Sequence, residues 1–259
     1  MRSWVPCLLL LLLCVSCDVF ELHPYEIRGG VRDTNARALE RLQRNVSGGS
    51  FRFAVLGDIG VYQDDSVDAV KDLARRDVDF VVQMGDLTEF SSAQEYDWVA
   101  GLLEDASVPA LAVIGNHDLL GKGRELYLHR FGPTFLAFEH GGSRFVLFDS
   151  NSREYGFPGN VPDLEQLRSA LGEAPGSAHL FTFSHVPPGH ADFDASLTEP
   201  LEQLQAEHGV TVSFHGHTHR FSTDARRGVR YFIADSIELH SYLLVTVEGE
   251  SVAVEQVFF

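Results

Sequence analysis

Residues 51–58 read Phe51-Arg52-Phe53-Ala54-Val55-Leu56-Gly57-Asp58, a short apolar run that ends in a glycine and an acid. A run too short for a helix and nearly unbroken in hydrophobicity marks a strand buried on both faces. The same figure returns downstream. Residues 78–84 end in Gly85-Asp86, and residues 109–114 end in Gly115-Asn116-His117-Asp118. Between them lie segments of helical spacing, about 65–76 and 93–104, the second with Tyr96, Val99, Leu102 and Leu103 on one face. Strand, helix, strand, helix, strand predicts βαβ units and the largely parallel sheet of an α/β protein.

The second half repeats the pattern. A hairpin is expected over 135–139 and 144–149, turning at Gly141-Gly142. A helix over about 163–171 leads to a strand at 179–183 that ends at Ser184-His185. A helix over about 197–208 leads to a strand at 210–214 that runs into His215-Gly216-His217-Thr218-His219. Residues 230–234, 242–247 and 252–258 alternate with period two and are expected as antiparallel strands that finish the sheets.

Polar side chains thus stand at the C-terminal ends of five strands: Asp58, Asp86, Asn116, His185, and the pair His217 and His219. Ligands of open α/β sheets bind at those ends. Carboxylate, imidazole and amide oxygen are the donors that suit Zn, Mn and Fe. The glycines before them permit sharp turns without a Cβ clash.

Five stretches carry a resemblance: Gly57-Asp58-Ile59-Gly60, Gly85-Asp86-Leu87-Thr88-Glu89, Gly115-Asn116-His117-Asp118, Ser184-His185 and Gly216-His217-Thr218-His219. In this order they resemble the calcineurin-like metallophosphoesterase superfamily over nearly all of residues 51–259. The resemblance implies two facing mixed β-sheets flanked by helices, a four-layer αββα sandwich. It implies hydrolysis of a phosphomonoester or phosphodiester by two divalent ions (Mn, Zn or Fe) and a metal-bound hydroxide. Asp86 would bridge the ions, Asp58 and His219 would hold the first, and Asn116, His185 and His217 the second. His117 would face the substrate phosphate, with Asp118 orienting its ring.

One departure stands out. Most of the superfamily has His where this chain has Gly60. The purple acid phosphatase branch also has Gly there and compensates with Tyr three residues after the bridging Asp. Here that position is Glu89. Glu89 is a candidate replacement ligand, with a solvated loop residue as the alternative reading. Without the Tyr, Mn, Zn or Fe(II) is expected rather than a purple iron(III) centre. Two other functional readings stand: a degenerate member that keeps the fold as a binding module, and a hydrolase of nucleotide pyrophosphate linkages. His190 and Arg153 are candidate substrate contacts, whereas His215 is expected to be structural.

The 259 residues are 44% hydrophobic and 22% charged, an ordinary globular composition. The formal net charge of −17 weighs against nucleic-acid binding through a basic surface. A small-molecule phosphate ester is the expected partner. Residues 4–17 form an uncharged run with six consecutive leucines at 8–13, too short to span a bilayer but suited to a signal peptide. The only cysteines are Cys7, Cys14 and Cys17, so no later disulfide is available. Leu13-Cys14-Val15-Ser16-Cys17 is similar to a bacterial lipoprotein cleavage site; an ordinary secretory signal is the alternative. The expected organisation is a signal peptide at 1–16, an anchor tether and lead-in at 17–50 with a short helix over about 34–44, and a phosphoesterase domain at 51–259. The protein is expected to be exported to the periplasm or cell exterior and held at a membrane surface through lipidated Cys17.

Overall fold

In the computed structural model, which describes residues 23–259 apart from 28, 45–48 and 174–175, the run at 51–56 forms strand β1 (Ser50–Leu56). The signal segment and Cys17 lie outside the described residues. Helix α1 (Thr34–Arg44) precedes β1. It is followed by α2 (Gln63–Leu73), β2 (Phe80–Gln83), α3 (Ala93–Asp105), β3 (Ala110–Ala112) and α4 (Gly123–Arg130). Then come β4 (Leu136–His140), β5 (Ser143–Leu147), α5 (Leu164–Gly172), β6 (Leu180–Phe183), α6 (Ala195–Glu207) and β7 (Val212–His215). The chain ends in β8 (Ser222–Arg226), β9 (Val229–Ile233), β10 (Ser241–Glu248) and β11 (Ser251–Phe258).

Two mixed sheets result. The first has the order β11-β10-β1-β2-β3 and the second β4-β5-β6-β7-β9-β8. In the first, β1, β2 and β3 run parallel, with Val55 beside Val82 and Val82 beside Leu111. In the second, β5, β6, β7 and β9 run parallel, with Phe145 beside Phe181 and Phe183 beside Phe214.

The sheets face each other across a phenylalanine core of Phe53, Phe80, Phe145, Phe181, Phe183 and Phe214, all fully buried. Phe53 lies at its centre, stacked on Phe80 at 5.1 Å and edge-on to Phe145 at 5.6 Å. Such offset-stacked and edge-to-face pairs add to the burial of large rings. The outer face of the first sheet is covered by α2, α3 and α4 through Leu73, Tyr96, Leu103 and Tyr127. The outer face of the second is covered by α5 and α6 through Leu167, Leu171, Leu201 and Leu204. The layering is helix, sheet, sheet, helix.

One expectation is corrected, and two elements are added. The strand after β8 is not wholly antiparallel in its pairing: β9 pairs parallel with β7 and antiparallel only with β8. Neither β8 nor α4 was legible in the hydrophobic pattern. The expected short helix is α1, and it packs on the sheets. Ala38 and Leu42 enter the inter-sheet core. Asn35 Nδ2 donates to Ala112 O at 3.0 Å, and Ala112 N–H donates to Asn35 Oδ1 at 2.9 Å. Because β3 is the edge of its sheet, this side chain completes hydrogen bonds that an open edge would leave exposed.

Candidate metal centre

The polar residues emerge from the ends of three neighbouring parallel strands of the first sheet (β1, β2, β3) and two of the second (β6, β7). The loops there are tight. Gly85 has φ +94, and a Cβ on it would meet His185 Nδ1. Gly115 has ordinary backbone angles, but a Cβ would strike Asp86. Glycine is therefore required at one turn for conformation and at the other for close approach.

The two carboxylates are clamped in the same way. Asp58 Oδ1 accepts the main-chain N–H of His217 at 3.1 Å, and Asp86 Oδ1 accepts that of His117 at 2.9 Å. Each fixed oxygen leaves its partner facing imidazoles. Asp58 Oδ2 is buried, accepts no well-aligned hydrogen bond, and lies 3.0 Å from His219 Nε2. Asp86 Oδ2 lies 3.3 Å from His185 Nε2.

His185 is fully buried, and its Nδ1–H donates to Met84 O at 2.8 Å. A ring held this way offers Nε2 to a cation once that nitrogen gives up its proton. That nitrogen lies 2.9 Å from Asn116 Oδ1, and His217 Nδ1 lies 2.9 Å from the same oxygen. The two ring nitrogens are 3.3 Å apart. Ligand atoms of Asp86, His185 and His217 all fall within 4.8 Å of one another, as do those of Asp58, Asp86 and His219. Asp86 belongs to both groups. Carboxylate, amide and imidazole donor atoms that converge at this spacing suit a divalent cation.

The electrostatics agree. Burial opposes charge on His185, but Asp86 and Asp58 outweigh it and push the ring up to about 10. Burial, with Asp86 close by, pushes Asp118 up to about 7. Burial, then His185 and His190, push His217 down to about 4. A cluster that draws a proton onto a buried imidazole is one that a metal ion neutralises, releasing that proton.

A cavity of about 280 Å³ opens beside these groups, lined by Asp58, Asp86, Glu89, His117 and His219. Val61 and Phe90 stand exposed on its rim. His117 Nδ1–H donates to Glu89 O at 3.0 Å, which leaves Nε2 free. Glu89 Oε2 lies 3.3 Å from where a Cβ on Gly60 would sit. Its carboxylate therefore occupies space that a side chain at position 60 would enter.

The family model for calcineurin-like phosphoesterases matches residues 51–221. The chain belongs to the calcineurin-like phosphoesterase family. A protein of Rhodopseudomonas palustris named probable cyclic nucleotide phosphodiesterase is 29% identical over 177 residues, covering 61% of this chain and 62% of that protein. The chain thus spans less than two thirds of that relative's length. A Fibrobacter succinogenes protein of the same name is 25% identical over 185 residues, covering 66% of this chain and 70% of the relative. The fold is similar to that of a dimetal phosphatase from Danio rerio, with a TM-score of 0.66 at 17% identity, over 80% of this chain and 95% of that one.

In this member of the calcineurin-like phosphoesterase family, Asp58, Asp86, Asn116, His185, His217 and His219 come together, with His117 and Glu89 on the adjoining wall. Asp118 does not take the expected place. Its carboxylate accepts the main-chain N–H groups of Leu87, Thr88 and Gly115 at 2.9–3.1 Å and the Thr88 hydroxyl at 2.9 Å. It braces the loops that carry Asp86 and Asn116, while Glu89 O holds the His117 ring. Arg153, a candidate substrate contact, donates to Asp192 Oδ1 at 2.6 Å. His190 packs edge-on against His217, ring centroids 4.5 Å apart. His215 is structural: its Nε2 pairs with Ser213 Oγ and its Nδ1 with Ser184, and burial pushes it down to about 3. Asp192 escaped sequence reading, its only signal being its place two residues after His190.

Proposed function

We propose that the protein is a metal-dependent phosphoester hydrolase that prefers phosphodiesters and works with two divalent ions in one cleft. The observation that carries this reading is the pair of ligand groups sharing Asp86. Asp58, Asp86 and His219 would hold one ion, and Asp86, Asn116, His185 and His217 the other. When bound, such ions supply charge neutralisation for the phosphoryl group and a nucleophile at neutral pH. Glu89 takes the ligand position left empty at Gly60, a role supported by its approach to that residue. His117 is fixed by Glu89 O and presents Nε2 to the cavity. Burial opposes its protonation, but the Asp86 carboxylate and the Glu89 carbonyl raise its pKa, so the ring can donate a hydrogen bond to phosphate or a proton to the leaving oxygen. Asp118 keeps the loops bearing Asp86 and Asn116 in register.

The diester preference draws on the names of the two relatives and on the apolar rim, where Val61 and Phe90 can receive an organic substituent. The full chain, stripped with EDTA, is assayed on bis-p-nitrophenyl phosphate, p-nitrophenyl phosphate and 3′,5′-cyclic AMP with Mn²⁺, Zn²⁺ or Fe²⁺ restored. The expected result is metal-restored turnover, faster on diesters. Folded protein that is inactive with every metal and substrate would contradict the reading. We also propose export and lipid attachment at Cys17, supported by the leucine run before it. Metabolic labelling with palmitate should be lost in Cys17→Ser.

A further inference from the structure

We propose that Asp192 is the positioning residue for His217, and that Arg153 holds Asp192 in turn. The inference rests on the reading of His217 as a metal ligand. His217 has two ring nitrogens with different neighbours. Nδ1 points into the cluster, 2.9 Å from Asn116 Oδ1. Nε2 points the other way, 3.0 Å from Asp192 Oδ2. An ionised carboxylate only accepts, so Nε2 carries the proton and Nδ1 presents its lone pair to the ion. A carboxylate behind a ligating imidazole fixes both tautomer and ring orientation and makes the imidazole a better donor.

The geometry around Asp192 is divided between two tasks. Oδ2 serves His217, while Oδ1 accepts from Arg153 Nη1 at 2.6 Å. Arg153 also donates its main-chain N–H to Asp192 O at 3.2 Å. The loop after β5 is thereby tied to the loop after β6, which also carries His185. The His217 side chain is 10% exposed and Asp192 18%, whereas Arg153 is 62% exposed. The inner link is therefore shielded and the outer one screened by solvent, so the effect should diminish outward. His190 closes the remaining side, with its ring edge-on to His217 and its Nδ1 accepting the Asp192 N–H at 3.2 Å. His190, Asp192 and His217 also lie close enough to hold an ion of their own. The inward-facing Nδ1 of His217 and the prior commitment of both Asp192 oxygens favour the positioning role.

The test titrates the metal-free full chain with Mn²⁺ against a competing chelator and counts bound ions, with thermal melts alongside. Asp192→Ala should weaken one of two ions about 10–100-fold and leave the other unchanged. Asp192→Asn keeps an acceptor oxygen for the His217 N–H and should recover most of that loss. Arg153→Met should weaken the same ion a few-fold and add nothing in the Asp192→Ala background, the mark of two residues acting in one chain. The proposal is overturned if Asp192→Ala binds both ions as wild type does, or weakens both alike with a lowered Tm. A higher KM in Arg153→Met with unchanged ion affinities would make Arg153 a substrate contact and break the outer link. A third ion per chain, lost in His190→Phe, would replace the positioning role with a metal site. Wild-type protein that binds no ion would overturn the ligand reading itself, an outcome distinct from all of these.

Discussion

Asp86 is held from every side. Its φ is +50, its Oδ1 is bound by the His117 N–H, and Gly115 lies where no Cβ would fit. His217 and His219 share the left-handed conformation, with φ of +72 and +59. Such geometry costs on the order of 1–3 kcal/mol per residue and persists only where the surroundings impose it. The types of these side chains were legible as donors. Their strained backbones were not: Asp and His enter the left-handed region more readily than most residues, but the side chain alone does not say where. The brace made by Asp118 and the link from Asp192 to His217 were hidden for a similar reason: hydrogen bonds between distant loops have no spacing in sequence. Glu89→Ala should lower kcat/KM on the diester by at least about tenfold, roughly 1.4 kcal/mol of transition-state stabilisation. An unchanged value would return Glu89 to the solvated loop. Away from the cleft, Asp72 gives a stability prediction. Burial alone would raise its pKa, but bonds from Tyr242, Arg76 and Arg75 hold it at about 2. A depressed carboxylate contributes stability that is present above its unfolded value near 4 and is lost as pH falls toward 2. Asp72→Asn should therefore cost about 2 kcal/mol at pH 7, and urea midpoints should show the gap narrowing below about pH 4.

Strands and helices differ in how plainly they announce themselves. Runs such as 51–56 are buried on both faces, so hydrophobicity alone finds them. β8 is polar and mostly exposed, and forms because β9 offers it an edge. α4 begins at Gly123, a residue that reads as a breaker, and its burial depends on packing against α3. β3 is only three residues long, but Val113 N–H still donates to Gln83 O beyond its end, carrying the ladder toward Asn116. The helix at 34–44 was legible; its attachment was not, because Asn35 pairs with a residue far along the chain. Asn35→Ala should destabilise the protein by about 1–3 kcal/mol by leaving the buried Ala112 N–H unpartnered. A denaturation midpoint equal to wild type would make α1 the tether that its sequence suggests.

At the scale of the whole molecule, two sheets bring strand ends with carboxylates and imidazoles to one cluster in a chain of net charge −17. Among the described residues, no helix is long and apolar enough to cross a membrane. Cations should be the counterpart that the fold requires. EDTA should lower Tm, and Mn²⁺ at about 100 times its Kd should restore about 2.7 kcal/mol for each ion bound. Uptake should release protons at pH 7, because the ion displaces the one that Asp86 and Asp58 draw onto His185. The most direct test measures bis-p-nitrophenyl phosphate turnover as Mn²⁺ is added to the metal-free full chain, beside Asp86→Ala. The rate should climb to a plateau at two ions per chain and be abolished in the variant. Full turnover in the presence of EDTA, or a wild-type rate in Asp86→Ala, would contradict the two-ion reading.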